Sequence, residues 1–146
     1  MSKFPILVLA TTILSGCAMF PQTEVELITN GNPSEPMCFS ESKEVAENRI
    51  KGYLAQCFKP DFVFTSGTTG YGLNHRVKES KTEQSTTYNV YSPSGSAAGY
   101  FLNVKIDQGA ANCNTTVNVV SLNMFWEKEF DKIKEAVAGG TPSCSM

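Results

Sequence analysis

The chain has 146 residues, 41% hydrophobic and 18% charged, which is the make-up of a globular domain rather than of a disordered or fibrous chain. Twelve basic residues stand against 14 acidic ones, a formal charge of −2. With no excess of Lys and Arg to neutralise phosphates, the composition argues against a nucleic-acid partner.

The chain begins with two positive charges, the α-amino group and Lys3, and residues 4–14 (FPILVLATTIL) form an apolar run of eleven. That length falls inside the roughly 7–15 residues of a signal-peptide core. It is too short to span a bilayer, since a helix rising ~1.5 Å per residue needs about 20 residues to cross a ~30 Å hydrocarbon layer. Leu14-Ser15-Gly16-Cys17 then resembles the lipobox of small bacterial lipoproteins. The resemblance implies that residues 1–16 are a signal peptide and that Cys17 carries the lipid. A thiol is nucleophilic enough to accept a diacylglyceryl group, and acylation of the freed amine, typically by palmitate, adds a further chain. One chain binds a membrane marginally, whereas two or three at ~0.8 kcal/mol per buried CH₂ anchor it durably. Ala18 rather than Asp after the cysteine implies, in a Gram-negative host, the outer membrane and a body facing the periplasm. Loss of residues 1–16 leaves 130, enough for one domain, and removes Lys3, so the mature chain carries −3. No polybasic stretch beside the anchor draws in anionic headgroups.

Residues 18–37 contain Pro21, Pro33 and Pro36 around Asn30-Gly31-Asn32. They read as a tether that holds a single domain, 38–146, off the headgroups, with Val25–Leu27 as a short strand. Residues 42–58 place Ala46, Ile50, Tyr53, Leu54 and Cys57 at helical spacing, with Ser40 or Ser42 as cap and Pro60 as stop. Gly52 costs about 1 kcal/mol against Ala, too little to reverse the pattern.

From 61 the period becomes two. Residues 61–65 are β-prone and Gly67-Thr68-Thr69-Gly70 breaks the chain. Tyr71, Leu73, His75 and Val77 then alternate with polar residues, and a polar loop ESKTEQS leads to a strand at 87–91. Ser92–Ser96 is a turn. Tyr100, Leu102, Val104 and Ile106 form the clearest alternation, and TTVNVVSL at 115–122 is the last strand. Every connection is too short for a crossover helix, which implies an antiparallel meander. Trp126, Phe130, Ile133 and Val137 then mark one stripe of a second helix, 124–138, capped by Asn123 or Ser121 and stopped by Gly139-Gly140 and Pro142. The expected fold is α+β: an antiparallel sheet of four or five strands, with an N-terminal and a C-terminal helix on one face. The other face, carrying Thr, Asn, Lys and Tyr, meets water or a partner.

With Cys17 given to lipid, Cys38, Cys57, Cys113 and Cys144 remain, an even set that suggests two disulfides in an exported protein. If the second helix runs back along the last strand, Cys113 and Cys144 end near each other, leaving Cys38 with Cys57. That second bridge is awkward, because a helix over 42–57 is ~22 Å long while bridged Cα atoms lie within about 7 Å. Cys38–Cys144 with Cys57–Cys113 competes. No two cysteines are closer than 19 positions, so the close ligand pairs of a zinc site are missing.

His75 is the sole histidine. No nucleophile motif such as G-x-S-x-G accompanies it or Ser66, and its alternation with Leu73 and Val77 marks a strand residue. Gly67-x-x-Gly70-x-Gly72 precedes a strand rather than a helix, so it is turn chemistry and not a phosphate loop. Carboxylates are scattered, and Asn114-Thr115-Thr116 is a chance sequon. The tyrosines Tyr71, Tyr88, Tyr91 and Tyr100, with Phe101, are the one recognition signal. These readings point to a non-enzymatic, envelope-anchored binding or accessory protein with no cofactor and no metal. It would be held to the membrane by its lipid and would meet another envelope protein. The alternatives are a periplasmic inhibitor of a cell-wall hydrolase, with Ser94-Gly95-Ser96 as its loop, and an enzyme of unknown type.

Overall fold

The computed structural model describes residues 19–64 and 70–144. The signal peptide expected at 1–16, Cys17, Ser66 and most of the Gly67–Gly70 turn lie outside the described residues. Among the described residues the fold is α+β, an antiparallel sheet of six strands with three helices and a separate two-stranded hairpin.

The sheet is built on four consecutive antiparallel strands, β5 (Arg76–Lys81), β6 (Ser85–Ser92), β7 (Gly99–Gln108) and β8 (Thr115–Ser121). Leu102, Val104 and Ile106 of β7 stand opposite Val90, Tyr88 and Thr86 on one side and Ser121, Val119 and Val117 on the other. Period-two alternation therefore aims one apolar row into the core. Register shifts between Val90, which faces Leu102, and Tyr91, which faces Tyr100, so Phe101 is the extra residue of a bulge. The alternation read through Tyr71–Val77 is two strands. β4 (Gly70–Leu73) pairs with β3 (Asp61–Phe64) in a separate hairpin, and β5 joins the main sheet three residues later. The first three residues of the polar ESKTEQS loop belong to β5, whose charges are used by the neighbouring helix: Glu79 pairs with Lys51 and Lys81 with Glu47, both at 2.8 Å.

That helix, α2 (Lys43–Cys57), is capped by the Ser42 hydroxyl, which accepts from the Val45 amide, and buries Ala46, Ile50, Tyr53 and Leu54. The last helix, α3 (Lys128–Val137), starts four residues later than the apolar stripe predicts. Residues 123–127 wind in tighter turns: the Trp126 amide donates to the Asn123 carbonyl and the Glu127 amide to that of Met124. The Asn123 side chain caps this segment by accepting from the Phe125 amide. The two helices lie antiparallel on one face of the sheet, with Tyr53 donating to Glu129 near one end and Arg49 donating to the Val137 carbonyl near the other.

The described part of the expected tether, residues 19–37, is docked on the sheet. Residues 24–30 form α1 (Glu24–Asn30), capped by Thr23 and lying on the opposite face of the sheet, where Leu27 is fully buried and Glu24 accepts from Asn103 of β7 at 3.0 Å. The sequence then runs along β8 as two short edge strands, β1 (Asn32–Pro33) and β2 (Met37–Phe39). Pro33 and Pro36 have no N–H to give, which suits an outer edge. Ser34 fills the gap, its amide donating to the Val119 carbonyl and its hydroxyl accepting from the Val119 amide. The Gly31 backbone passes so close that a Cβ there would stand 2.5 Å from the Ser121 carbonyl oxygen. The segment read polar because its burial is borne by one leucine and by backbone pairing.

The four cysteines form two bridges, Cys38–Cys113 and Cys57–Cys144, with Cα separations of 5.4 and 5.0 Å. This corrects the expected Cys113–Cys144 and Cys38–Cys57 pairing, and the competing one. Helix α3 does run back toward the start of β8, but Gly139, at φ +90°, reverses the chain. Amides of Gly139 and Gly140 close the helix end on the carbonyls of Ala136 and Glu135. The tail over 139–144 then returns along α2 and delivers Cys144 to Cys57. Cys38 meets Cys113 because β2 pairs with the start of β8, placing Cys38 opposite Thr116.

Candidate functional site

Two surfaces stand out. The first lies at the end of the sheet where β7 begins and β8 ends. Trp126 stacks on Phe101 at 5.1 Å and on Phe58 at 5.7 Å, and His75 stands edge-on to all three rings at 5.1–6.1 Å. The bulge at Phe101 brings that ring into the cluster. Phe20 covers Phe101 from outside at 5.5 Å, the Pro21 carbonyl accepts from the Tyr100 amide, and the Gln22 side chain donates to the Ala98 carbonyl. A Cβ at Gly99 would lie 2.6 Å from that of Phe20, so residues 20–22 are pinned to this end. Beside Trp126, Met124 and Phe125 are 69% and 76% exposed, and Met19 is 85% exposed. Such adjacent apolar side chains in water are unusual for a monomer surface.

The second surface is the sheet face opposite the core, partly covered by α1. Tyr91 and Tyr100 face each other across β6 and β7 and stack at 5.6 Å, half-buried. On the covering helix, Val25 and Ile28 are exposed. Beneath it runs a polar ladder in which Asn103 donates to Glu24 and to the Asn89 side-chain oxygen, while the Asn89 side-chain nitrogen is buried without a partner among the described residues. Of the tyrosines singled out from sequence, Tyr88 is a core residue. The side chain of Tyr71 lies outside the described residues, and only Tyr91 and Tyr100 meet on this face.

The buried ionisable groups are structural in chemistry. Glu47, read as one of many scattered carboxylates, accepts from Lys81 and Thr86 at 2.8 Å and pairs with Lys43 at 3.1 Å. Burial alone would raise its pKa, but the bonds from Lys81, Thr86 and Lys43 outweigh it and hold the carboxyl below its usual value. A carboxylate so occupied is a poor base. Glu129 is buried between Tyr53 and Lys132, and burial followed by the bond to Glu129 pushes the Tyr53 phenol well above its usual pKa. Both glutamates stand in register with their helices' apolar stripes, Glu47 with Ile50 and Leu54, Glu129 with Ile133 and Ala136. That register was the signal of their burial. Asn74 donates to the Ser94 hydroxyl, which places Ser94-Gly95-Ser96 in an ordinary turn with Gly95 at φ +90°.

His75 lies 7% exposed against its three rings, and desolvation lowers its pKa. The unfolded chain therefore binds a proton that the folded chain refuses. Stability is fully present above the unfolded value, about 6.5, and falls as pH drops from there through the lowered folded value. In His75→Phe, which keeps a ring in the cluster, the decline that starts near pH 6.5 is absent. Only the later loss from carboxylates such as Glu47, below pH 4.5, remains. Urea midpoints across this range check it.

Among the described residues no group of His, Cys, Asp and Glu is placed to hold a metal ion, and no helix is long and apolar enough to cross a membrane. Compared with known proteins, the chain matches no family model, no curated protein and no solved structure.

Proposed function

We propose that this chain is an envelope-anchored lipoprotein. Residues 1–16 are removed, Cys17 carries the lipid, and the folded body serves a non-enzymatic binding or accessory role toward another envelope protein. One observation carries the reading: Leu14-Ser15-Gly16-Cys17 stands ahead of a body whose other four cysteines are all bridged. Paired cysteines belong to oxidising compartments such as the periplasm. A partner-binding role is supported by the outer sheet face, where the Tyr91–Tyr100 pair and the exposed Val25 and Ile28 supply large apolar area at small entropic cost.

The anchor is tested with Cys17→Ser in the native host. The wild type fractionates with membranes and its N-terminal peptide carries diacylglyceryl and acyl mass, whereas the variant retains the signal peptide and lacks that mass. Identical maturation of both proteins refutes the anchor. The binding role is tested by crosslinking intact envelopes. An adduct that disappears in Tyr91→Ala/Tyr100→Ala supports the outer face as the contact, and an unchanged adduct removes that face from consideration.

A further inference from the structure

The exposed apolar loop and the point where the chain leaves the described body lie at the same end of the sheet. Phe20 packs on Phe101, Phe101 stacks on Trp126, and Phe125 and Met124 directly precede Trp126. Cys17 is three residues from Phe20, and three residues of chain reach at most about 11 Å. We infer that residues 123–126, with Met19, form a wedge that enters the surface of the phospholipid membrane holding the acylated Cys17. The inference rests on the lipoprotein reading above and extends it from attachment to orientation.

The chemistry suits a bilayer interface. Met124 and Phe125 are 69% and 76% exposed, Trp126 stands half-buried behind them, and Lys128 follows, exposed. Apolar side chains backed by an indole and flanked by a lysine match the headgroup boundary, where rings sit at the ester level and ammonium groups reach back to water. The opposite end of the sheet is different in kind. Its turns are Thr82-Glu83-Gln84 and residues 109–114 (GAANCN), and among the described residues the one large exposed apolar side chain toward that end is Val45, at 38%. Acyl chains alone attach a body without orienting it, whereas an anchor plus a wedge on the same end fixes its tilt. The strands then stand on the membrane, the Cys38–Cys113 bridge points away by the length of β7, about 30 Å, and the Tyr91–Tyr100 face looks sideways along the surface.

Trp126 is the single tryptophan of the chain and reports directly on the wedge. The mature protein is purified from its host and reconstituted in vesicles of phosphatidylethanolamine and phosphatidylglycerol. These are prepared with or without phosphatidylcholine bearing a nitroxide high on one acyl chain. The wild type loses about half or more of its Trp126 emission to the nitroxide, since interfacial side chains sit roughly 5–10 Å into the headgroup–acyl boundary. Met124→Ser/Phe125→Ser, which alters two solvent-exposed side chains, stays in the vesicle fraction but keeps most of its emission. Mass spectrometry of the N-terminal peptide is run on the same samples. Lipid on Cys17 with an unquenched Trp126, or with equal quenching in wild type and variant, overturns the wedge and leaves the anchor standing. An N-terminal peptide without lipid overturns the anchor, and the wedge with it.

Discussion

Replacing Cys57 and Cys144 together by serine lowers the unfolding free energy by about 3–4 kcal/mol, read from urea midpoints at constant slope. The bridge spans 87 positions, and the chain-entropy relation gives about 4.5 kcal/mol for a loop of that size in an otherwise open chain. The expected loss is smaller because the cysteines alternate along the chain as 38, 57, 113 and 144, so Cys38–Cys113 already restricts part of the same unfolded ensemble. Against a total stability of about 5–15 kcal/mol, this is among the largest effects available from so small a chemical change. A non-reducing peptide map is the companion measurement, with Cys38 found joined to Cys113 and Cys57 to Cys144. Recovery of a Cys113–Cys144 peptide would mean that the tail does not turn back at Gly139, and the packing of 139–144 along α2 would have to be abandoned.

Leu27→Ala costs about 2–5 kcal/mol, the range for emptying a buried leucine site. Helix α1 has only seven residues, far below the ~12–15 at which an isolated helix becomes even marginal in water. Its order therefore comes from contacts with the sheet: Leu27 without exposure, the Glu24–Asn103 bond and the Pro21–Tyr100 bond. If the segment were a tether, the same substitution would change stability by no more than the ±0.5 kcal/mol of an ordinary surface site. Hydrogen exchange sharpens the comparison: the amide of Leu27, which donates to the Thr23 carbonyl, loses protection in the variant while the β6–β7 ladder keeps its own.

The elements predicted from the sequence differ in how far pattern alone reached them. Helix α2 and strands β7 and β8 were legible because each buries one face, and a buried face writes its period into the residues. The later start of α3 was not, because Trp126 belongs in spacing to the helical stripe but in space to the aromatic cluster with Phe58, Phe101 and His75. The split of Tyr71–Val77 into strands of two sheets was equally hidden, since alternation records which face is buried and not which neighbour pairs. The Phe101 bulge, which brings that ring beside His75, breaks the alternation by a single residue and resembles an ordinary exposed aromatic in sequence. At the outer face, Tyr91 and Tyr100 were visible as candidates, but their stacking follows from register, and α1 covering the ladder beside them left only Leu27 as a trace.

Sequence alone determined the α+β class, the antiparallel meander, one helix on each side of it in chain order, and an even set of four cysteines after Cys17. All of these depend on local periodicity, turn chemistry and counting. Tertiary structure decided the cysteine pairing, the docking of 24–39 onto the sheet, the burial of Glu47 and Glu129, and the gathering of Phe20, Phe125 and Trp126 at one end. Those depend on contacts between residues tens of positions apart, and the free energy of such a contact is set by both partners at once, so neither segment carries it by itself.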